Sequence, residues 1–153
     1  MIPSDHFVRF YNEVFKYLDE KDALTDYYTH ISKHQELHCL ELFKSKGVQG
    51  MYEYWDHIRI EENCDMDLEI RDDSLILTMN KCPSLSKNLD NDAGLCEKYC
   101  EHCPGWIVPL VEKAGFCCRY NISDRRIPKC QAIIFPAMAG KKSEIIEKIQ
   151  EFD

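Results

Sequence analysis

The segment "MDLEIRDDSLILTMN", residues 66–80, decides the fold class of this chain. Its apolar residues Met66, Leu68 and Ile70 alternate with charged ones, the pair Asp72–Asp73 supplies turn chemistry, and a second strand-like run follows. Strict alternation is typical of a half-buried β-strand, and two such runs joined by a short polar turn indicate a β-hairpin. We therefore predict a hairpin over these residues.

The residues before this hairpin carry a helical pattern instead. Ser4 is suited to cap a first amphipathic helix, and Asp22 is suited to cap a second one that ends at Gly47. A third helix, rich in aromatic residues, begins near Val48. We therefore predict that residues 1–63 form a helical N-terminal part.

Two more helices and a second hairpin follow the first hairpin. We expect one helix over residues 95–103, stopped by Pro104, and a short helix over residues 106–113. Strand-like runs on both sides of the turn "SDRRIP" predict the second hairpin within residues 116–135. Ser143 is suited to cap a C-terminal helix.

The order of these elements predicts an α+β fold class. N-terminal helices precede two β-hairpins, which form a four-stranded, mainly antiparallel sheet with a helix pair between them, and a C-terminal helix closes the chain. No Pro-, Gly- or Ser-rich stretch divides the sequence, so we expect residues 1–153 to form a single domain. Residues 64–153 form its hairpin-containing core.

The net charge of the chain indicates which partners it can bind, and its N-terminal segment indicates its location in the cell. The 27 acidic residues against 19 basic ones give a net charge of -8, which argues against nucleic acid or an anionic membrane as a partner. Neither a signal peptide nor a membrane-spanning run is evident, so we expect a cytoplasmic protein. We expect a small-molecule ligand as its partner and consider a homodimer as its oligomeric state.

Nine cysteines are the main chemical feature of the sequence, and five of them lie between Cys96 and Cys118. Cys96, Cys100 and Cys103 would share one stripe if they lay on a single helix. Thiolates suit zinc or an iron-sulfur cluster, although the two CxxC pairs of a typical zinc module are absent. The metal hypothesis assigns as ligands Cys82, Cys100, Cys103 and Cys130, with His102 as a further candidate.

Simple packing is the alternative for several cysteines. Free cysteine is among the residue types most often buried, and we prefer this interpretation for Cys96, Cys117 and Cys118. Adjacent residues of a strand point to opposite faces, so at most one of the last two can join a shared site.

Cys100 is also a candidate nucleophile, which would need a nearby histidine or cation to stabilise its thiolate. The candidate bases are His34, His38 and His57. His34 and His38 are one helical turn apart, and we expect both to face inward. The string "HQELH" does not match the HExxH or HxxEH metalloprotease motifs, so a hydrogen-bonded structural role is the alternative.

Four stretches carry a resemblance to a known family. They are "KGVQGMYEYWDHI" (46–58), "LILTMNKCPS" (75–84), the Tyr99–Cys100 pair and "AGFCCRYNISDRRIPKCQAIIF" (114–135), which places Cys130 where that family tends to have a cysteine. Together they resemble the L-2-amino-thiazoline-4-carboxylic acid hydrolase-like family, which is similar in outline to small-molecule-binding domains related to vinyl reductases. The resemblance rests on cysteine spacing and element order.

The resemblance implies a pocket between the helix pair and the hairpins, where Cys82, Cys100 and Cys130 approach one another. It implies a hydrolase that acts on a carbon-nitrogen bond of a cyclic amidine, which needs a nucleophile, a proton donor and a partner for the substrate carboxylate. The corresponding residues are Cys100 as nucleophile, His57 or His38 as acid/base, Arg119 as carboxylate partner, and Trp55 and Trp106 as further substrate contacts.

Two other functions remain open at this point. One is a metal-binding module that holds zinc or an iron-sulfur cluster without catalysis. The other is an interaction domain that uses the aromatic surface of the third helix, formed by Tyr52, Tyr54 and Trp55.

Overall fold

The computed structural model describes residues 5–90, 94–122, 124–138 and 140–147. The helices are α1 (Asp5–Glu20), α2 (Leu24–Glu61), α3 (Pro83–Leu89) and α4 (His102–Lys113), with a 3₁₀ turn at Tyr99–Glu101, and the strands are β1 (Asp65–Arg71), β2 (Ser74–Lys81), β3 (Phe116–Ile122), β4 (Cys130–Pro136) and β5 (Glu144–Glu147). The predicted α+β class is confirmed. The proposed cap Ser4 lies outside the described residues.

The N-terminal part is helical as predicted, with two differences in its boundaries. Helix α2 runs through the predicted end at Gly47, where the backbone takes a φ of 57° and breaks the regular helical geometry. A positive φ favours glycine because a Cβ atom would crowd the backbone. Two predicted helices are therefore one bent element. Ala23 occupies the N-cap position, and Asp22 has a φ of 55° in the preceding turn.

The first hairpin forms as the alternation predicts. Strands β1 and β2 pair in antiparallel register, and Asp72 and Asp73 have φ values of 48° and 59°. Positive φ at both central residues is the signature of a two-residue type I′ turn, whose twist matches that of the strands. Met66, Leu75 and Leu77 are buried on the inner side of this hairpin.

Within the described residues the sheet has five strands rather than four, in the order β1-β2-β4-β3-β5. All neighbours are antiparallel except β5, which lies parallel to β3 with Tyr120 opposite Ile145. The predicted C-terminal helix is therefore wrong for Glu144–Glu147, and residues 148–153 lie outside the described part. Ser143 does not cap a helix, because its hydroxyl accepts a hydrogen bond from the Cys118 backbone N–H at 3.0 Å. Adjacent β-branched residues at 145 and 146 suit a strand.

The helix pair between the hairpins also differs from the prediction. The 3₁₀ turn leads directly into α4, so Pro104 and Gly105 lie inside this helix and do not end it. Proline is tolerated in the first turn of a helix, where its missing N–H has no partner to lose. The expected single stripe of Cys96, Cys100 and Cys103 is wrong, because these residues lie in three different local structures.

In the part of the chain that the structure describes, the buried side chains form two groups. The larger one joins α2 and α4 to the inner face of the sheet and includes Phe43, Trp55 and Leu110. The smaller one lies under α1 and includes Phe15 and Tyr99, and Cys100 packs against both groups. None of the helices within the described ranges has the length and apolar character needed to cross a membrane.

Candidate functional site

A cavity of about 600 Å³ lies between α1, α2, α4 and the inner face of the sheet. Its walls are mainly apolar, because each element turns its buried stripe toward this space. The lining includes many aromatic side chains, among them Phe15, Tyr54, Trp55, Tyr99, Trp106 and Tyr120. The two predicted substrate-contacting tryptophans therefore lie at one site.

Four cysteines gather at one end of this cavity. Cys82, Cys100, Cys103 and Cys130 line a small void of about 30 Å³ together with Tyr120 and His102. Cys82, Cys103 and Cys130 also line the large cavity, whereas Cys100 lines only the small void. The predicted approach of cysteines from the two hairpins and the helix pair is thus present in the structure.

Backbone geometry fixes the position of the two sheet cysteines. Cys82 follows β2 and caps α3, because its sulfur accepts a hydrogen bond from the Leu85 N–H at 3.4 Å. The Cys82 N–H donates to the Pro128 carbonyl at 2.7 Å, which ties it to the turn before β4. Cys130 begins β4 opposite Met79 and Ile122. The two thiols therefore sit at the same end of neighbouring strands.

His102 and Cys103 form a direct contact at the start of α4. The His102 Nδ1 atom lies 2.5 Å from the Tyr99 carbonyl oxygen, which can only accept a hydrogen bond, so Nδ1 carries the proton. The Nε2 atom is then an acceptor, 3.2 Å from the Cys103 sulfur. Burial lowers the pKa of His102, and the imidazole is neutral at neutral pH. The pair consists of a neutral base facing a thiol.

Burial keeps the thiols of this cluster protonated. It raises the pKa of Cys103 to about 11, and burial with the neighbouring Cys103 raises those of Cys100 and Cys130 to about 12. The pKa of Cys82 is raised for the same reason. The Tyr120 hydroxyl lies 3.6 Å from the Cys130 sulfur. A protonated thiol is a poor nucleophile until a base takes its proton, and His102 Nε2 is the base that faces Cys103.

Three other sequence-predicted site residues lie outside the cavity. His57 is 71% exposed in its side chain and its Nε2 atom lies 3.4 Å from Glu61, on the outer side of α2. His38 is exposed and packs against the ring of His34, so the expectation that these histidines face inward is wrong. Arg119 is exposed on β3 and pairs with Glu144 on β5. The structure does not bring any of them to Cys100.

The three cysteines expected to be packed are buried. Cys96 belongs to the small core group under α1, and Cys117 and Cys118 lie on opposite faces of β3. The Cys117 sulfur lies 3.6 Å from the Lys141 carbonyl, so the segment before β5 covers it. None of these three cysteines lines the cavity or the small void.

Sequence reasoning missed several groups that line the cavity, above all Tyr120, Glu62 and Cys64. Tyr120 could have been found, because it is two residues from Cys118 and four from Phe116 on one strand and so shares their face. Glu62 and Cys64 lie at the end of α2 and in the connection to β1, where no periodic pattern predicts orientation.

The cysteine cluster does not form a metal site as it stands. Within the described ranges, no group of three His, Cys, Asp or Glu side chains is arranged to hold a metal ion. The small void thus gathers candidate donor side chains without forming such a group.

Comparisons with protein-family models, with curated proteins and with solved structures found no match to this chain.

Proposed function

We propose that this protein binds a small, mainly apolar molecule with an aromatic or other flat ring. The observation that carries this proposal is the cavity of about 600 Å³, which falls in the range of about 300 to 1,000 Å³ of known ligand sites. Trp55 and Trp106 offer ring faces, while Gln35, Ser84 and the cysteine end supply a few polar groups. This combination of an apolar wall and few polar groups is typical of small-molecule sites.

The test is ligand binding combined with a change that fills the cavity. Ala132 lines the cavity from β4, and Ile133 is the next residue on the opposite face of that strand. Ala132→Phe should abolish binding of aromatic ligands, and Ile133→Phe serves as the matched control that adds a ring outside the cavity. Binding by isothermal titration calorimetry that survives unchanged in a folded Ala132→Phe variant would contradict the proposal.

The resemblance extends this proposal to hydrolysis of a cyclic amidine, with Cys103 rather than Cys100 as the nucleophile. Cys103 lines the large cavity and contacts the His102 Nε2 atom, whereas Cys100 faces only the small void. The Cys103 sulfur would add to the amidine carbon as its proton passes to Nε2. The leaving nitrogen would then take that proton, and water would release the product.

A pair of matched variants tests this step. 2-Amino-2-thiazoline and its 4-carboxylate would be incubated with the protein and their loss followed by mass spectrometry. Cys103→Ser should remove turnover by about a hundredfold or more, because it removes the attacking sulfur, while Cys100→Ser should retain it. The absence of turnover of both compounds in the wild-type protein counts against hydrolysis but not against binding.

A metal centre without catalysis is the second candidate function, and the small void favours it. Four thiols and the His102 imidazole, whose Nε2 lone pair faces Cys103, surround about 30 Å³. The Nδ1–H···O=C bond to Tyr99 is the orientation that metal-bound histidines commonly use. Such a donor set suits zinc or an iron-sulfur cluster. Anaerobic purification followed by elemental analysis and a visible spectrum tests this candidate, and a metal-free, colourless protein rejects it.

A further inference from the structure

The charge of the cavity lining is uneven. Among the described residues that line the cavity, Glu62 is the one acidic side chain, and no lysine or arginine occurs with it. The thiols of Cys64, Cys82 and Cys103 remain neutral, because burial raises their pKa values. The His102 imidazole is neutral as well. Among the described lining side chains, the one formal charge that a ligand meets is therefore negative.

The location of Glu62 disfavours the charged form of its carboxyl group when no ligand is bound. Glu62 is the C-cap residue of α2, and its backbone N–H donates to the Ile58 carbonyl at 2.9 Å. The C-terminal end of a helix carries partial negative charge, which repels an anion. Burial raises the pKa of Glu62, the positive charge of the N-terminal amino group opposes this rise, and no described lysine or arginine forms an ion pair with Glu62. The helix C-terminus and the burial both disfavour the charged carboxylate, and a cation bound beside it would offset these two unfavourable effects.

Aromatic rings supply a second attraction for a cation in the same cavity. Tyr54, Trp55 and Trp106 line its walls, and the faces of such rings attract ammonium and amidinium groups. This attraction grows when the cation is removed from water, as it would be inside a mainly apolar cavity. A carboxylate ligand would instead meet Glu62 and the negative faces of the rings.

We propose that Glu62 makes the cavity selective for ligands that carry a basic nitrogen on an aromatic or flat apolar body. The inference rests on the proposed binding function and names its ligand class. It replaces Arg119 as the residue that selects charge, because Arg119 lies on the outer face of β3 and pairs with Glu144. The protonated nitrogen pairs with the Glu62 carboxylate, and the ring of the ligand packs on the aromatic walls.

Three ligands of the same shape and different charge test the proposal. These are 4-phenylbutylamine, 4-phenylbutan-1-ol and 4-phenylbutanoate, which are cationic, neutral and anionic at pH 7. The protein has two tryptophans, Trp55 and Trp106, and both line the cavity. Their indole N–H signals in a nitrogen-15 NMR spectrum therefore report occupancy of the site directly. We expect the amine to bind about tenfold or more tighter than the alcohol, and the acid to bind most weakly.

Neighbouring glutamates provide a matched pair of variants. Glu62→Gln removes the charge inside the cavity, whereas Glu61→Gln removes the same charge from the adjacent exposed residue, which contacts His57. Glu62→Gln should reduce the preference for the amine over the alcohol by about tenfold, and Glu61→Gln should leave it unchanged.

The outcomes separate this inference from the proposed function. Equal binding of all three ligands, or a tighter acid, overturns the charge selectivity and leaves small-molecule binding in place. An amine preference that survives Glu62→Gln overturns the role of Glu62. If none of the ligands shifts the two indole signals, both the inference and the proposed cavity function are rejected for ligands of this class.

Discussion

The cysteine cluster should react slowly with electrophiles at neutral pH, although it lies beside a large cavity. Burial raises the pKa of Cys103 from 9.0 to about 11, so at pH 8 its thiolate fraction falls from about one in ten to about one in a thousand. Alkylation requires the thiolate, and its rate should therefore be about a hundredfold lower than in the unfolded chain. The imidazole of His102 is neutral and does not hold a preformed thiolate at the Cys103 sulfur.

A pulse of iodoacetamide followed by peptide mass spectrometry measures this rate for each cysteine. The same chain unfolded in urea provides the reference, because every thiol there has its ordinary pKa. The rate for Cys103 in the folded protein should rise about tenfold per pH unit from pH 8 to pH 10, since each unit increases the thiolate fraction tenfold. Labelling of Cys103 at pH 7 as fast as in the unfolded chain would refute the neutral thiol-imidazole pair and indicate a preformed thiolate.

Three further predictions concern stability. Gly105→Ala should lower the free energy of unfolding by about 1 to 2 kcal/mol. A Cβ atom there would lie 2.9 Å from the Tyr28 ring, and this overpacking outweighs the gain in helix propensity. An unchanged urea midpoint would contradict this close contact of α2 and α4. Leu110→Ala, at a position with 0% exposure, should cost about 2 to 5 kcal/mol in the same assay. Stability should also fall as the pH rises from about 9 to about 12. The buried thiols of Cys100 and Cys130 lose their protons at higher pH in the folded state than in the unfolded one, so the folded state binds more protons in that range. Urea midpoints that do not change over this range would be inconsistent with buried, protonated thiols.

Both hairpins were predictable because their signals are local. Alternation and the Asp72–Asp73 pair specify the first one within about sixteen residues, and the register follows from the turn. The fifth strand was not predictable in this way. Residues 144–147 become a strand because the edge of β3 offers backbone partners, and that edge exists only after β3 and β4 have paired.

The orientation of α2 explains why part of the site was predicted and part was not. Its buried stripe includes Tyr28, Ser32 and Phe43. The apolar pattern instead predicts the stripe Tyr27, Ile31 and Leu42, one residue earlier at each position, with His34 and His38 beside it. This rotation of about 100° turns His34 and His38 to solvent. The approach of Cys82 and Cys130, which the resemblance implies together with Cys100, depends instead on the ends of the strands and the order of the hairpins.

Among the described strands, β1 lies at one edge of the sheet, where its outward backbone groups could accept a strand from another molecule. Its exposed residues Asp65, Asp67 and Glu69 alternate along that edge. In a symmetric antiparallel pairing of two copies centred on Asp67, each of these carboxylates would face another carboxylate, which is destabilising. The acidic residues of the segment that specifies the first hairpin therefore also protect the folded protein from edge-to-edge aggregation.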